Sequence, residues 1–116
     1  MPKNNLAKTL MDLGLDEKEA KVYISSLSLG PATVLAIAKA TDVKRTTVYS
    51  VVESLKQKGL IIVEVRGFKK LYTPQPPSRL EILLAEKRKT LQNSMPKLLE
   101  LYGLEGTDAQ SIKHYQ

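Results

Sequence analysis

The residues with the clearest chemical potential are basic and hydroxyl side chains clustered in one short segment. Arg45 can donate two hydrogen bonds to guanine O6 and N7 or to a phosphate, and Thr46 and Thr47 can hydrogen-bond to a base or touch a thymine methyl. Ser50, one helical turn further on, can contact a base or a backbone oxygen, whereas Lys44 suits the phosphate backbone. This spacing is typical of a helix that reads double-stranded DNA.

A second cluster of cations follows in a sequence that is typical of a β-hairpin. Residues 60–65 and 69–73 are β-branched or alternating runs, and Gly67 between them supplies the positive φ of a tight turn. Phe68 at the tip is expected to pack across the hairpin rather than to contact DNA. The cations expected near the minor groove or its phosphates are Arg66, Lys69 and Lys70.

Two residues beside these clusters allow more than one role. Tyr49 lies on the flank of the helix, where its hydroxyl can reach a phosphate or its ring can pack between helices. The sequence favours neither of these two roles. Glu53 would repel phosphates, so we expect a solvated surface charge, with cytosine N4 as the alternative partner.

The net charge of +6 is concentrated in this part of the chain. Residues 1–43 hold five Lys or Arg and five Asp or Glu, which sum to zero. Residues 44–70 hold seven basic and two acidic residues, giving +5, and residues 71–116 hold six and five, giving +1. Basicity confined to one structural unit indicates a surface that faces phosphates, with an ordinary solvated face as the alternative.

The helix that presents the first cluster has a clear apolar side. It is predicted from about Arg45 to Lys58 and should end at Gly59. The residues on its apolar side are Val48, Val51, Val52 and Leu55. A two-turn helix precedes it, with Thr33 as its N-cap, and Asp42 in the connecting turn tolerates a left-handed conformation.

Two further helices come before this unit. Residues 5–13 have helical spacing, and Asp16 then opens a stronger helix in which Glu19 completes a capping box. The residues expected to face the core from this second helix are Ala20, Tyr23, Ile24 and Leu27. Residues 1–76 are therefore predicted to form a winged helix-turn-helix, a mainly α fold with a small β-hairpin wing.

A long C-terminal helix is predicted for residues 77–104. Leucines spaced by seven form a coiled-coil-like stripe, which Lys87 and Ser94 make imperfect, and Pro96 is expected to kink or restart the helix. The residues expected to form a dimer contact are Leu84, Leu91, Met95, Leu98 and Tyr102. The alternative is that this helix folds back on its own domain. Residues 105–116 are expected to be a disordered tail.

The composition argues against several classes of site. The chain has no cysteine for a thiolate metal site or a disulfide, and its single histidine, His114, lies in the expected tail. No apolar run approaches the ~18 residues of a membrane span, and no nucleophile–base pair is visible. The carboxylates of Asp16, Glu17 and Glu19 are explained by a helix start. We expect a cytoplasmic, non-enzymatic protein without a cofactor, a metal or an evident small-molecule effector site.

Most of the chain resembles the TrmB-like, sugar-responsive transcriptional regulators over roughly residues 5–103. The matching features are Leu13-Gly14-Leu15, Glu19-Ala20-Lys21-Val22-Tyr23, Gly30-Pro31-Ala32-Thr33, Ile37-Ala38, Val43, Arg45, Val48-Tyr49, Leu55 and Lys58-Gly59-Leu60. The resemblance implies a homodimer that binds operator DNA through the helix holding Arg45 to Ser50. Asp42 stands where the family usually has glycine, and Lys44 where it often has proline.

Full-length members of that family carry a large C-terminal effector domain that binds sugars. Nothing in this sequence is long enough to be one, so sugar binding is not expected. The sequence predicts a regulator that binds a pseudo-palindromic operator as a homodimer. The alternative is a winged helix used as a protein–protein interaction module in a transcription or repair assembly, which the concentrated positive charge disfavours.

Overall fold

The computed structural model describes residues 3–103, which form five helices and one antiparallel β-hairpin. The elements are α1 (Lys3–Asp12), α2 (Glu17–Leu29), α3 (Val34–Thr41), α4 (Arg45–Gln57), β1 (Ile61–Arg66), β2 (Lys69–Pro74) and α5 (Arg79–Tyr102). The predicted mainly α fold with a hairpin wing is confirmed. The chain divides into two compact units after Leu83, so the first turn of α5 belongs to the N-terminal unit.

The starts of α2 and α3 follow from local side-chain chemistry. Asp16 accepts a hydrogen bond from the Glu19 backbone N–H at 2.8 Å, and the Glu19 carboxylate accepts one from the Asp16 N–H at 2.9 Å. Thr33 caps α3 by accepting from the Ala36 N–H at 3.2 Å. Each contact satisfies an amide that the first helical turn leaves without a partner. The predicted capping box and the Thr33 cap are confirmed.

The hydrophobic core of the N-terminal unit is built around α2 and α4. Tyr23 is buried as predicted, and its hydroxyl donates to the Gln75 carbonyl at 2.8 Å. The expectation that Leu27 faces inward was wrong, because 42% of its surface is exposed while Val22 and Ser26 are fully buried. Four elements contact α2, namely α1, α3, α4 and β2, so its buried surface is wider than the single stripe that the sequence suggested.

The connection between α3 and α4 is a tight turn. Asp42 adopts the left-handed conformation at φ 56°, as predicted, and the Val43 N–H donates to the Ala38 carbonyl at 3.3 Å. The four residues predicted to form the apolar side of α4 are all buried, namely Val48, Val51, Val52 and Leu55. Packing of this side against α2 and α3 turns the opposite side of α4 to solvent.

The wing is a regular hairpin that is fixed at its inner end. Its register runs from the pair Ile61–Pro74 to the pair Arg66–Lys69, and Gly67 takes φ 62° in the two-residue turn. Pro74, expected just beyond the strand, is its last residue, where the absent N–H is tolerated. Ala32 and Tyr72 also exchange two backbone hydrogen bonds, at 3.1 and 2.7 Å. This bridge, which the sequence did not suggest, attaches β2 to the loop before α3.

Helix α5 is continuous from Arg79 to Tyr102, and Pro96 lies inside it. The helix does not restart at Pro96, and the other predicted outcome, a kink there, stays a prediction. Proline removes one backbone donor, but the residues on both sides of it favour helix strongly enough to continue. Gly103 takes φ 85° after the last helical turn, close to the end of the helical segment predicted for residues 77–104. The predicted tail at 105–116 lies outside the described residues. None of the helices in the described part of the chain is long and apolar enough to cross a membrane.

Candidate nucleic-acid interface

The solvent side of α4 carries the side chains that the sequence singled out for base contact. Arg45, Thr46 and Ser50 are exposed, and Thr47 is half-buried. Tyr49 has 47% of its surface exposed, which is compatible with either of its two predicted roles. Because the apolar side fixes the rotation of the helix, these residues share the outward face of its first two turns.

The N-terminus of α4 differs from those of α2 and α3 because none of the described side chains caps it. Lys44 occupies the N-cap position with extended backbone angles, φ −57° and ψ 140°, and no acidic residue lies in the first turn. The partial positive charge of the helix terminus is therefore added to the charges of Lys44 and Arg45. This arrangement suits a phosphate group, which can accept from free amides and cationic side chains together.

The outer end of the wing carries like charges directly opposite one another. Arg66 and Lys69 form the last cross-strand pair, and both are exposed. Like charges at directly opposed positions of a hairpin repel and destabilise it. Lys70 pairs with Val65 on the other face of the hairpin, so cations project from both faces. A polyanion next to the wing would remove this repulsion.

A cationic groove lies between α4 and the wing, with a volume of about 430 Å³. Its lining residues are Thr33, Val34, Leu35, Arg45, Tyr49, Phe68, Lys69, Lys70 and Tyr72. Three of these residues are cations and none is a carboxylate. The fold thus brings the first turn of α4 and the second wing strand to one surface, although they are far apart in the chain.

The remaining hydrogen bonds of α4 limit what its polar residues can do. The Ser50 hydroxyl donates to the Thr47 carbonyl at 2.9 Å, and in this arrangement its lone pairs are available to a ligand. Glu53 is exposed and lies 3.6 Å from the Lys56 amino group, which is consistent with the predicted solvated charge. Both side chains therefore have a partner within α4 itself.

The C-terminal end of α4 is held by an ion pair that the sequence reading missed. The buried Glu19 carboxylate accepts hydrogen bonds from the Ser54 hydroxyl and the Lys58 amino group, and these two donors lie 3.3 Å apart. Burial opposes ionisation of Glu19, but the hydrogen bonds from Lys58 and Ser54 outweigh it and lower the pKa of this carboxyl below its ordinary value. The spacing of 39 residues between Glu19 and Lys58 gave no sequence signal.

The structure therefore sorts the seven cations of residues 44–70 into two groups. Within residues 3–103, Lys56 and Lys58 form ion pairs with Glu53 and Glu19. The other five have no ion pair with any described residue, and they are Lys44, Arg45, Arg66, Lys69 and Lys70. All five lie at the N-terminus of α4 or on the outer wing. Ion pairing thus concentrates the excess charge further.

Comparison with known families identifies the part of the chain that contains this surface. The family model described as "Sugar-specific transcriptional regulator TrmB" matches residues 10–78, which is more than half of the chain. The chain belongs to the TrmB family. The match runs from the end of α1 through the wing, so it contains the helix-turn-helix and the cationic groove of this TrmB-family chain.

Two curated relatives place this TrmB-family chain among archaeal and bacterial proteins. It is 29% identical over 102 residues to the HTH-type sugar sensing transcriptional regulator TrmBL1 of Pyrococcus furiosus, covering 88% of this chain and 29% of the relative. It is 36% identical over 78 residues to the uncharacterized protein YrhO of Bacillus subtilis, covering 67% and 28%. The chain thus spans less than a third of the length of these two relatives.

Solved structures of similar fold include an archaeal chromatin protein and a bacterial transcriptional regulator. The structure of TrmBL2, described as an archaeal chromatin protein with a novel mode of DNA binding, matches with a TM-score of 0.74 and 24% identity, covering 91% of this chain and 44% of that one. A MarR-family regulator from Silicibacter pomeroyi matches with a TM-score of 0.57 and 16% identity, covering 97% and 75%. At these identities the likeness shows the fold, which is that of winged-helix transcriptional regulators.

Proposed function

We propose that this TrmB-family chain is a sequence-specific transcriptional regulator that binds a pseudo-palindromic operator as a homodimer. The observation that carries the proposal is the cluster of five cations without ion-pair partners in the described structure, at one end of α4 and on the wing. The proposal concerns DNA binding and leaves sugar sensing aside, because the family match at residues 10–78 covers the winged helix.

Base contacts are assigned to the first two turns of α4. Arg45 is exposed and free to donate bidentately to guanine O6 and N7. Thr46 and the half-buried Thr47 can hydrogen-bond to a base edge or touch a thymine methyl. Ser50 donates to the Thr47 carbonyl in the structure, and its exposed hydroxyl can accept from the amino group of adenine or cytosine or rotate to donate to a base or backbone oxygen.

Phosphate contacts are assigned to the residues around these base-reading side chains. Lys44 and the uncapped first turn of α4 would hold one phosphate, and Tyr49 would donate its hydroxyl to another. The remaining cations belong to the wing, and they are Arg66, Lys69 and Lys70. Neutralising them would also relieve the repulsion between Arg66 and Lys69 across the hairpin.

The homodimer contact is assigned to the exposed leucine stripe of α5. Leu84, Leu91 and Leu98 are spaced by seven and are 40%, 54% and 48% exposed. Seven residues nearly complete two turns of a helix, so the three side chains lie on one line along it. Exposed apolar side chains in a row favour burial against a second copy. Met95 and Tyr102 flank the stripe and complete the proposed contact.

A salt titration of binding to random duplex DNA tests the DNA-binding function. If the four cations assigned to phosphate in each of the two subunits make these contacts, the logarithm of the binding constant should fall with a slope of about −7 against the logarithm of the salt concentration. The variant Lys56→Ala should keep the slope, because Lys56 is paired with Glu53. Absence of binding at low salt would overturn the proposal and favour the protein–protein interaction module.

Sedimentation tests the dimer separately. The variant Leu91→Lys places a charge in the middle of the stripe and should yield a monomer that is still folded, because Leu91 is exposed in the described chain. The variant Lys89→Leu, at an exposed position two residues away, should leave the dimer intact. A dimer that survives Leu91→Lys would contradict the assignment to α5.

A further inference from the structure

We propose that Phe68 is a wedge that inserts between base pairs from the minor groove, so that the wing reads how easily the DNA deforms. This inference rests on the proposed DNA-binding function and adds a contact of a different kind to it. Phe68 lies at the tip of the wing and is 108% exposed, which contradicts the expectation that it packs across the hairpin.

The exposure of Phe68 is unusual in physical terms. Burying a phenylalanine side chain shifts an equilibrium by about tenfold to a hundredfold, and in the described structure this gain is not realised. Val65, close to the tip on the preceding strand, is also 69% exposed. The outer wing therefore offers apolar surface to a partner rather than to its own core.

The surroundings of Phe68 indicate the chemistry of that partner. Arg66 and Lys69 flank the turn, and Lys70 follows, and none of them has an ion pair with a described residue. Phe68 also lines the cationic groove that contains Arg45. A partner that contacts this tip must carry dense negative charge on its surface, to face the wing cations. It must also have apolar surface within one side-chain length of that charge, to contact Phe68. The phosphates and stacked bases of double-stranded DNA meet both requirements.

The wing is long and rigid enough to reach the base stack. Six cross-strand pairs give it a length of about 17 Å, and its last two pairs and the turn, which are exposed, project by about 10 Å. The minor groove is about 7.5 Å deep and about 6 Å wide, so a single aromatic ring at the tip can reach its floor. The bridge between Ala32 and Tyr72 fixes the inner end of the hairpin, which limits the freedom lost on insertion.

Insertion would make the wing selective without hydrogen bonds to bases. Apolar wedges unstack one base step and bend the duplex, and this deformation is easiest at pyrimidine–purine steps such as TA and CA. The gain from burying Phe68 is comparable to the cost of unstacking one step. The wedge therefore favours flexible steps over stiff A-tracts. Its effect on this preference is larger than its effect on the average affinity for DNA.

Fluorescence of 2-aminopurine tests the wedge, since this base analogue brightens when it is unstacked. The probe is a 30-base-pair duplex of alternating T and A that carries 2-aminopurine, compared with an A-tract duplex of equal length. Wild-type protein should brighten the alternating duplex and bind it about tenfold more tightly than the A-tract. The variant Phe68→Ala should lose both effects and keep the salt slope, whereas Arg66→Ala should flatten the slope and keep the brightening.

Each other outcome has a definite meaning. If the 2-aminopurine still brightens with Phe68→Ala, the wedge is overturned. The wedge is also overturned if the wild type binds both duplexes equally. In either case a steep salt slope would leave the DNA-binding function standing. Absence of duplex binding at low salt overturns the function and the wedge together. Phe68-dependent binding to phosphatidylserine vesicles without brightening of DNA would assign the tip to a membrane surface instead. Unchanged thermal unfolding of Phe68→Ala, which its exposure predicts, shows that the variant is folded.

Discussion

A lysine lies at each end of α4, but only one of the two lysines has an ion-pair partner among the described residues. Lys58 at the C-terminal end is paired with the buried Glu19 and lies beside Ser54. Lys44 at the N-terminal end has neither an ion pair nor a side-chain cap among the described residues. The C-terminal end therefore attaches α4 to α2, whereas the positive charge at the N-terminal end is not neutralised by any described residue.

This difference indicates that the C-terminal end of α4 positions the helix in the fold, whereas the N-terminal end is available to bind a ligand. A buried ion pair stabilises a particular geometry only while both partners are present, so Glu19 and Lys58 fix the helix position relative to α2. Cations without partners contribute little to the fold and are available to a ligand. Substitutions at the two ends should accordingly affect different measurements, stability at one end and DNA binding at the other.

The largest effect on stability is expected from Lys58→Met. It leaves the Glu19 carboxylate buried without its cationic partner, and such losses cost about 3 kcal/mol or more. Lys58 is 25% exposed, so water can enter and we expect the lower end of that range. The free energy of unfolding in urea measures the effect. The matched control is Lys56→Met, whose exposed pair with Glu53 should contribute less than about 0.5 kcal/mol. Similar losses in both variants would contradict the special role of the C-terminal end.

The largest effect on DNA recognition is expected from Arg45→Ala. Loss of a bidentate contact to guanine reduces base discrimination by about 1–3 kcal/mol per site, while unfolding free energy should stay within about 0.5 kcal/mol. Binding constants for a duplex selected from a random pool and for random DNA measure the discrimination. Arg45→Lys is the matched control, because lysine keeps the positive charge but lacks the planar guanidinium that donates two hydrogen bonds. This variant should bind random DNA as the wild type does but lose the preference for the selected duplex. Equal losses on both duplexes would contradict base reading.

The sequence was sufficient for features that depend on neighbours in the chain. The capping box of Asp16, the left-handed Asp42 and the turn at Gly67 each follow from residues within four positions of one another. The apolar side of α4 was predicted because helical periodicity alone defines it.

Features that depend on distant segments were not predicted. The Glu19–Lys58 pair and the Ala32–Tyr72 bridge join positions 39 and 40 residues apart, and neither has a local signature. The exposure of Leu27 and Phe68 also depends on which elements happen to pack beside them. The segment that holds the candidate interface was chosen from the sequence, whereas the division of its cations into paired and unpaired groups required the fold.

Lys44→Ser should make the two ends of α4 more alike. Lys44 already has extended backbone angles at the N-cap, so a serine hydroxyl there can accept from the first turn and stabilise the protein by about 1 kcal/mol. The same change removes a cation that we assign to phosphate, so the salt slope of a dimer should decrease by about two. Urea unfolding and the salt titration measure the two effects. A variant that is more stable but binds DNA with an unchanged slope would remove Lys44 from the phosphate contacts.

The smallest effect is expected from acid acting on Glu19, the partner of Lys58 at the C-terminal end of α4. The pKa of Glu19 is lowered below 4.5 in the folded state, so its stabilisation is complete above about pH 4.5 and is lost as the pH falls through the folded-state pKa. Glu19→Gln isolates this contribution, because glutamine keeps the capping position but carries no charge. The difference in unfolding free energy between wild type and Glu19→Gln should be constant from pH 5 to 7 and shrink towards pH 3. A difference that stays constant to pH 3 would mean that Ser54 and the cap, rather than the charge pair with Lys58, hold this end of α4.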